Sequence, residues 1–184
     1  MKVFLILSVI LKILFAYEVD SIIGEISKIS GVDKKVYLSI IKIESNGKQN
    51  IIALNGSKDF YKQLQGLKYI DNSLEVKHFY PNRIVIYSNT NKNIIAAIAK
   101  ELYLLNKNFD LGIAQINSSN FSYEEIPLML DLKYNIIKAN NILANCQAKY
   151  QSIKPSIECY NKGYANHKGY AYFKKFIKSY LGVK

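Results

Sequence analysis

A single carboxylate, Glu44, is the residue in this chain best placed to do chemistry. It follows the run Ile-Ile-Lys-Ile and precedes Ser45. A carboxyl group in surroundings of low polarity favours its protonated form at neutral pH and can act as a general acid. Helical spacing puts Glu44 on the inward face with Val36 and Ile40, at the negative end of the same helix, which raises the carboxyl pKa further. We therefore predict that Glu44 is an acid catalyst.

Four motifs occur in a characteristic order along the chain. They are Glu44-Ser45, Gly112-Ile-Ala-Gln115 with Asn117, Asn135-Ile136, and Tyr160-Asn161-x-Gly163. In this order they resemble the lytic transglycosylases of the goose-type lysozyme fold, and the resemblance covers roughly Ser21 to Tyr180. The segment that leads into Asp110-Leu-Gly is most similar to the peptidoglycan-cutting members that accompany type IV secretion and conjugation machines.

The resemblance implies a reaction that cuts peptidoglycan without water. The bond between N-acetylmuramic acid and N-acetylglucosamine breaks when the muramyl C6 hydroxyl attacks the anomeric carbon, which leaves a 1,6-anhydromuramyl end. One carboxyl group serves both halves, because Glu44 can protonate the leaving oxygen and then accept the proton of the attacking hydroxyl. Acid chemistry of this kind needs no metal and no other cofactor.

The resemblance also assigns roles around Glu44. It implies that Tyr160 is the second catalytic-site residue. The residues assigned to substrate binding are Ser45, Gly112, Gln115, Asn117, Asn135, Asn161 and Tyr172. A glycan presents hydroxyls, N-acetyl groups and flat ring faces, which amides, tyrosines and bare backbone can contact.

Simpler roles stay open for several of these residues. Gln115 and Asn117 could form a turn, Tyr160 could be a core residue, and Asn135 could bond only to neighbouring backbone. Ile113-Ala114 stands where the family usually has Leu-Met, which predicts a wider pocket at that point.

Two other functions fit the same residues. A hydrolytic muramidase would use water and a second carboxylate, for which Asp59, Asp71 and Asp110 are candidates, with Asp110 favoured because it enters the motif. A non-catalytic peptidoglycan-binding protein would keep the fold without the reaction.

Hydrophobic periodicity predicts the elements that position these residues. The predicted fold class is mainly α (α+β), a lysozyme-like helical domain with a small β-hairpin insertion. Helices are expected over residues 20–30, 33–45, 91–106, 131–150, 155–161 and 172–181, and hairpin strands over 75–79 and 83–88. The segment 56–90 is longer than in the simplest members of the family, so it either covers one end of the groove or contacts a partner.

Two cysteines, Cys146 and Cys159, favour a disulfide if the protein is exported. A bond between them should stabilise the fold by roughly 3 kcal/mol. Two free thiols, or a zinc site with His78 or His167, are the alternatives, although the cysteine spacing is unlike that of zinc knuckles.

The first sixteen residues predict export. A basic start, a short apolar run and Ala16 are typical of a secretory signal cleaved after Ala16, which leaves a mature domain of residues 17–184. An uncleaved anchor is the alternative. We expect a periplasmic protein associated with the cell wall.

The chain is basic. Its net charge alone says less about the class of partner than its motifs do. The net charge is +11, and it becomes +9 without Lys2 and Lys12. Such charge suits anionic envelope polymers, but Arg83 is the only arginine, and the abundance of Lys, Ile, Asn and Tyr looks like codon bias. No nucleic-acid motif is present. We predict glycan strands as partner, no nucleic acid and a monomer, with secretion-system components implied by resemblance alone.

Overall fold

The structure, a computed structural model, describes residues 2–164 and 169–183, with side chains from residue 14 onward. Its helices are α1 (Lys2–Ser30), α2 (Lys34–Glu44), α3 (Lys58–Gln65), α4 (Lys92–Leu104), α5 (Leu132–Tyr150), α6 (Ile153–Lys162) and α7 (Ala171–Gly182). Its strands are β1 (Ile51–Asn55), β2 (Leu74–Phe79), β3 (Arg83–Ser88), β4 (Phe109–Leu111) and β5 (Ile116–Asn117). Short 3-10 helices cover Gly66–Tyr69, Ser118–Asn120 and Leu128–Leu130. The predicted mainly α (α+β) class is confirmed.

Local side-chain chemistry sets the ends of α2, the helix that carries Glu44. The Asp33 side chain accepts a hydrogen bond from the Lys35 amide at 2.8 Å and caps the first turn. Asn46 and Gly47 adopt φ values of 53° and 80°, the left-handed conformation that ends a helix. Both predicted ends of this helix are confirmed, and Glu44 is its last residue.

The first helix, α1, continues without a break through the predicted cleavage point at Ala16. It ends at Ser30, where Gly31 has φ 70°, and from residue 14 onward its buried side chains are Val19, Ile23 and Ile26. Among the described residues, no helix is both long enough and apolar enough to cross a membrane. Cleavage after Ala16 stays a prediction.

The predicted hairpin is confirmed as β2 and β3, but it belongs to a larger antiparallel sheet. The strand order is β2-β3-β1-β4-β5, and β1 pairs with both β3 and β4. The short strands β1, β4 and β5 and helix α3 are absent from the sequence prediction. Two to five residues are too few to show a clear alternation of apolar and polar positions, and β1 is buried over its first four residues.

Two hydrophobic clusters hold the helices around the sheet. The larger one packs α1, α4 and α5 against one face of the sheet. The smaller one joins α2, α5, α6 and α7 through Ile40, Leu143, Ile157, Tyr172 and Phe176. The disulfide Cys146–Cys159 links α5 to α6 and confirms that prediction. Because both thiols are used, the zinc alternative that needs them is excluded, and His167 lies outside the described residues.

Candidate active site

A groove of about 480 Å³ lies where the end of α2, the sheet and helices α5 and α6 meet. The residues predicted for the site that line it are Glu44, Gln115, Asn117, Tyr160 and Asn161. These residues come from positions far apart in the chain. The structure therefore brings most of the sequence-predicted site together in one cleft.

The Glu44 carboxyl lies in the groove and is partly buried. Burial raises its pKa to about 7, and the negative charge of Asp110 acts in the same direction. The hydroxyl of Tyr172 donates a hydrogen bond to Glu44 Oε1 at 2.5 Å, and this bond opposes the rise of the pKa, as do the Arg83 charge and the Asn161 amide. Near neutral pH both the acid and the carboxylate form of Glu44 are therefore accessible.

Tyr172 is held in place by a buried carboxylate, Glu158. This residue is 0% exposed on α6, and its Oε2 accepts a hydrogen bond from the Phe173 amide at 2.8 Å. Its Oε1 accepts from the Tyr172 amide at 3.4 Å and pairs with Lys162 Nζ at 2.5 Å. Burial alone would raise the pKa of Glu158, but Lys162 and the two amides outweigh it and lower the pKa. Glu158 thus fixes the first turn of α7, from which Tyr172 reaches Glu44.

Tyr160 stands on α6 beside the same carboxyl. Its hydroxyl donates a hydrogen bond to the Ala114 carbonyl at 2.8 Å. Burial raises its pKa well above the usual value, and the negative charges of Glu44 and Asp110 raise it further. Tyr160 is therefore a neutral hydroxyl in the groove at physiological pH, and it ties α6 to the turn before Gln115.

Asn135 is a positioning residue for the Gly112–Gln115 turn. It is 1% exposed, its Oδ1 accepts from the Ala114 amide at 2.8 Å, and its Nδ2 donates to the carbonyls of Leu111 and Met129. All its polar atoms are occupied inside the protein. The geometry thus favours a role for Asn135 in bonding neighbouring backbone. This was the alternative to the substrate contact that the resemblance assigns to it.

Gly112 lies at a tightly packed position with a left-handed backbone conformation. Its φ is 82°, and a Cβ at this position would lie 2.3 Å from Asn135 Nδ2 and 2.4 Å from the Met129 carbonyl oxygen. Gly112 therefore has a packing reason of its own, and it does not line the groove, so its assignment to substrate binding stays a prediction. Ala114 is 1% exposed and does not line the groove, so its small side chain does not widen the groove there.

Gln115 offers the groove an unused acceptor. It is 7% exposed with φ 50°, and its Nε2 donates to the Gly112 carbonyl at 2.9 Å. Its Oε1 is buried and has no hydrogen-bond partner. A buried polar atom without a partner is costly, and because this oxygen is shielded from solvent, a ligand hydroxyl or amide would reach it only after the side chain moves.

Asn117 and Arg83 hold Asp110 from two sides. Asn117 Nδ2 donates to Asp110 Oδ1 at 2.8 Å, and Arg83 Nη1 lies 3.3 Å from Asp110 Oδ2. Burial raises the pKa of Asp110, while Asn117 and Arg83 oppose the rise. Asn117 lines the groove as predicted, although its amide nitrogen is already engaged by Asp110 and Asn108.

The other predicted residues divide between the groove and the helix end. Asn161 is exposed in the groove near Glu44, as expected. Ser45 is 5% exposed, and its hydroxyl bonds the Ile41 carbonyl and the Gly47 amide, so it stabilises the end of α2 and does not line the groove. Asp59 and Asp71 also lie outside the groove lining, which leaves Asp110 as the second carboxylate there.

Sequence reasoning missed Arg83 and Glu158. Arg83 is the only arginine of the chain, and the sequence offers no other signal for it. Its contact with Asp110 depends on the pairing of three strands, which no local pattern reveals. For Glu158 the i,i+4 spacing to Lys162 indicates an ion pair, but nothing in the sequence indicates complete burial.

Family models, curated proteins and solved structures yield no match to this chain. A function for the groove is therefore inferred from its own geometry and from the motifs that build it.

Proposed function

We propose that this protein is a peptidoglycan lytic transglycosylase. It cleaves the β-1,4 bond between N-acetylmuramic acid and N-acetylglucosamine and leaves 1,6-anhydromuramyl ends. The observation that carries the proposal is the partly buried Glu44 carboxyl, with a pKa of about 7, in a groove lined by amides and tyrosines.

The two proton transfers of this reaction need one group that works in both directions. A pKa near the working pH makes Glu44 an effective acid toward the leaving oxygen and an effective base toward the C6 hydroxyl. Tyr172 holds the carboxyl through Oε1, and the Asn161 amide also interacts with it, so the carboxyl is oriented toward the groove by two protein groups. The exposed side chain of Asn161 and the backbone and amides that line the groove are the polar groups available to the sugar.

A hydrolytic muramidase is the second candidate, because Asp110 lies in the groove and acts on Glu44 electrostatically. The contacts of Asp110 favour a different role. Its Oδ1 is bonded by Asn117 and its Oδ2 is paired with Arg83, so both oxygens already interact with protein groups that hold the carboxylate in place. Asp110 in this state is better suited to stabilise positive charge that develops on the sugar ring.

Digestion of purified sacculi tests the proposal. The protein that begins at Tyr17 should release muropeptides that end in 1,6-anhydromuramic acid, identified by mass analysis. Reducing ends would instead show hydrolysis. Glu44→Gln should release no products and still bind sacculi; equal release by this variant would remove Glu44 from the mechanism.

The site also supports a proposal about location. Peptidoglycan as substrate requires export, which agrees with the signal segment predicted over residues 1–16. We propose that the protein acts in the periplasm and opens the wall locally, and that a secretion or conjugation apparatus is its context.

A further inference from the structure

One face of the sheet extends from the groove, at one edge of the sheet, to a basic region at the opposite edge. Successive residues of a strand point to opposite faces, and Ile52, Ile84 and Ile86 are 0% exposed on the core face. The opposite face is called the outer face here. One row of paired residues crosses all five strands on it: Asn117, Asp110, Ala53, Val85 and Lys77. The row begins in the groove, at Asn117 and Asp110, and ends at Lys77.

Two ammonium groups converge at the far end of this row. Lys48 Nζ lies 3.7 Å from the centroid of the Tyr87 ring, and Lys77 Nζ lies 5.2 Å from the same centroid. Lys77 Nζ also donates a hydrogen bond to the Tyr87 hydroxyl at 2.9 Å. The electron-rich face of an aromatic ring attracts cations, so Tyr87 holds Lys48 and Lys77, called the lysine pair here, in a defined place.

Nearby carboxylates neutralise the positive charge of the lysine pair only weakly. Glu75 lies 3.9 Å from Lys77, but both side chains are 50% exposed, so the ion pair is loose. Among the described residues, no carboxylate lies within ion-pair distance of Lys48. An anionic ligand group would therefore meet two cations that are largely uncompensated.

The turn that ends α2 links the lysine pair to the catalytic carboxyl. Lys48 follows Glu44 by four positions, after the left-handed residues Asn46 and Gly47. The same change of chain direction thus sets Glu44 at the groove and Lys48 over the outer face. A ligand fixed by Lys48 is also fixed relative to Glu44.

The spacing of strands gives the distance between the two regions. Neighbouring strands lie about 4.8 Å apart, so Lys77, three strands from Asp110, is about 14 Å away. Between them, Ala53 is 1% exposed and Val85 is partly buried, so a ligand branch would run over the side chains that cover Ala53. The surface therefore fits a ligand whose reacting part occupies the groove and which carries a negative charge on a flexible branch about this far away.

We propose that the lysine pair binds a carboxylate of the acidic peptide stem that the glycan strand in the groove carries. This inference rests on the proposed function, since peptidoglycan unites a glycan strand with peptides that bear free carboxylates. It also assigns a role to the long segment 56–90, whose strands β2 and β3 supply Lys77 and Tyr87 and extend the groove sideways.

The test compares two substrates and three proteins. The substrates are glycan strands that keep their peptide stems and the same strands after an amidase has removed the stems. The proteins are the wild type, the double variant Lys48→Gln/Lys77→Gln and the control Lys92→Gln/Lys178→Gln, which removes the same charge. Lys92 begins α4 on the core side of the sheet, and Lys178 lies on α7 beside α2.

On stem-bearing strands the Lys48→Gln/Lys77→Gln variant should raise KM about tenfold with kcat unchanged, since two exposed charge contacts contribute about this much. On stem-free strands it should match the wild type, and the control should match it on both substrates. An unchanged KM on stem-bearing strands would overturn the proposal. A rise on both substrates would also overturn it, because the lysines would then bind the glycan or the muramyl carboxyl that the amidase exposes.

Failure of the proposed function gives a different result. If the wild type releases no products from either substrate, the transglycosylase assignment is wrong, and so is the proposal that the lysine pair binds a peptide stem. If the wild type cuts both substrates and the lysine variant cuts them equally well, the peptide-stem proposal alone is lost.

Discussion

At the scale of single residues, the acid at position 44 results from opposing effects on one carboxyl group. Burial and the Asp110 charge favour the protonated form, while the Tyr172 hydroxyl favours the carboxylate. Burial has the larger effect and the pKa reaches about 7. The helical spacing of the apolar residues before Glu44 predicted its inward direction, but it could not predict that Tyr172, 128 positions later, would bond to it.

The raised pKa of Glu44 makes folding stability depend on pH. In the unfolded chain Glu44 ionises near its usual pKa of 4.5, whereas in the folded chain it keeps its proton up to about pH 7. The wild type therefore loses stability as pH rises between these values, by up to about 3 kcal/mol at pH 8. Since glutamine does not titrate, we expect Glu44→Gln to gain stability relative to the wild type between pH 4 and pH 8 by this amount.

Urea unfolding at pH 4 and pH 8 measures this effect. Glu101→Gln, at an exposed position on α4, is the matched control. A difference between Glu44→Gln and the wild type that is the same at both pH values would contradict the raised pKa of Glu44.

Tyr172→Phe tests the hydrogen bond to Glu44. Loss of a donor to the charged form raises the carboxyl pKa further, by roughly 1 unit for a bond of about 1.5 kcal/mol. The alkaline limb of the activity profile should therefore move to higher pH, because Glu44 would keep its proton longer. Activity against sacculi over a range of pH values measures the shift.

The control for this variant is Tyr180→Phe on the same helix, whose hydroxyl bonds Asp33 on the surface. An alkaline limb that stays in place in Tyr172→Phe, or moves equally in both variants, would separate Tyr172 from the titration of Glu44.

At the scale of elements, α6 organises the site through three consecutive residues. Glu158 holds the start of α7, Cys159 is bonded to α5, and Tyr160 bonds the turn before Gln115. The sequence predicted the second of these contacts from cysteine number, and it assigned Tyr160 to the catalytic site by resemblance without predicting the bond to Ala114. It could not predict the first, because the burial of Glu158 depends on where α7 packs.

Glu158→Gln should weaken the start of α7. The neutral amide accepts fewer hydrogen bonds from the Tyr172 and Phe173 amides and leaves Lys162 without its partner, so we expect a loss of about 1 to 2 kcal/mol, similar to the loss of a helix cap. Lower activity should accompany it, since Tyr172 is then less well placed. Urea unfolding and sacculus digestion measure the two effects.

Lys162→Gln is the comparison for this variant, because it removes the partly exposed cation and keeps the capping carboxylate. If Lys162→Gln were as destabilising as Glu158→Gln, the ion pair rather than the cap would account for the loss.

The disulfide gives a second prediction about α6. Replacement of both Cys146 and Cys159 by serine should lower the free energy of unfolding by roughly 3 kcal/mol, because the unfolded chain regains the freedom of the closed loop. Reduction of the wild type should have a similar effect in urea unfolding and no effect on the variant. A reductant effect on the serine variant would show that another process is being measured.

Elements whose ends depend on neighbours in the chain were predictable, and contacts across the sheet were not. Asp33, Gly31 and Gly163 mark helix boundaries because capping and left-handed residues act locally. Arg83 reaches Asp110 only because β1 lies between their strands. That strand order depends on burial over the whole sheet, so the ion pair of Arg83 with Asp110 in the groove could not be predicted from the sequence.

At the scale of the whole molecule, the sheet separates two kinds of surface. Its inner face packs against the helices, and its outer face carries acidic and amide groups at the groove and cations beyond it. Net charge alone had left the partner open, since a basic composition suits many anions. The local arrangement is more specific, because Lys48 and Lys77 meet at one aromatic ring on the outer face of the sheet.

The first helix allows a last prediction about which part of the chain the fold needs. Among the side chains of α1 that the structure describes, from residue 14 onward, Val19, Ile23 and Ile26 are buried in this core, and Phe15 is partly buried. A protein that begins at Tyr17 should therefore fold with nearly full stability. One that begins at Ser27 loses all three apolar anchors, each worth about 1.5 to 3 kcal/mol, and should be less stable by roughly 5 kcal/mol or more.

Urea unfolding of the two truncated proteins measures this difference. No further control protein is needed, because both proteins lack the apolar start of the chain and differ only in residues 17–26. Equal stability would mean that α1 contributes nothing beyond the cleavage point. A protein beginning at Tyr17 that does not fold would show that the segment before Ala16 is part of the folded domain, which would contradict its prediction as a cleaved signal.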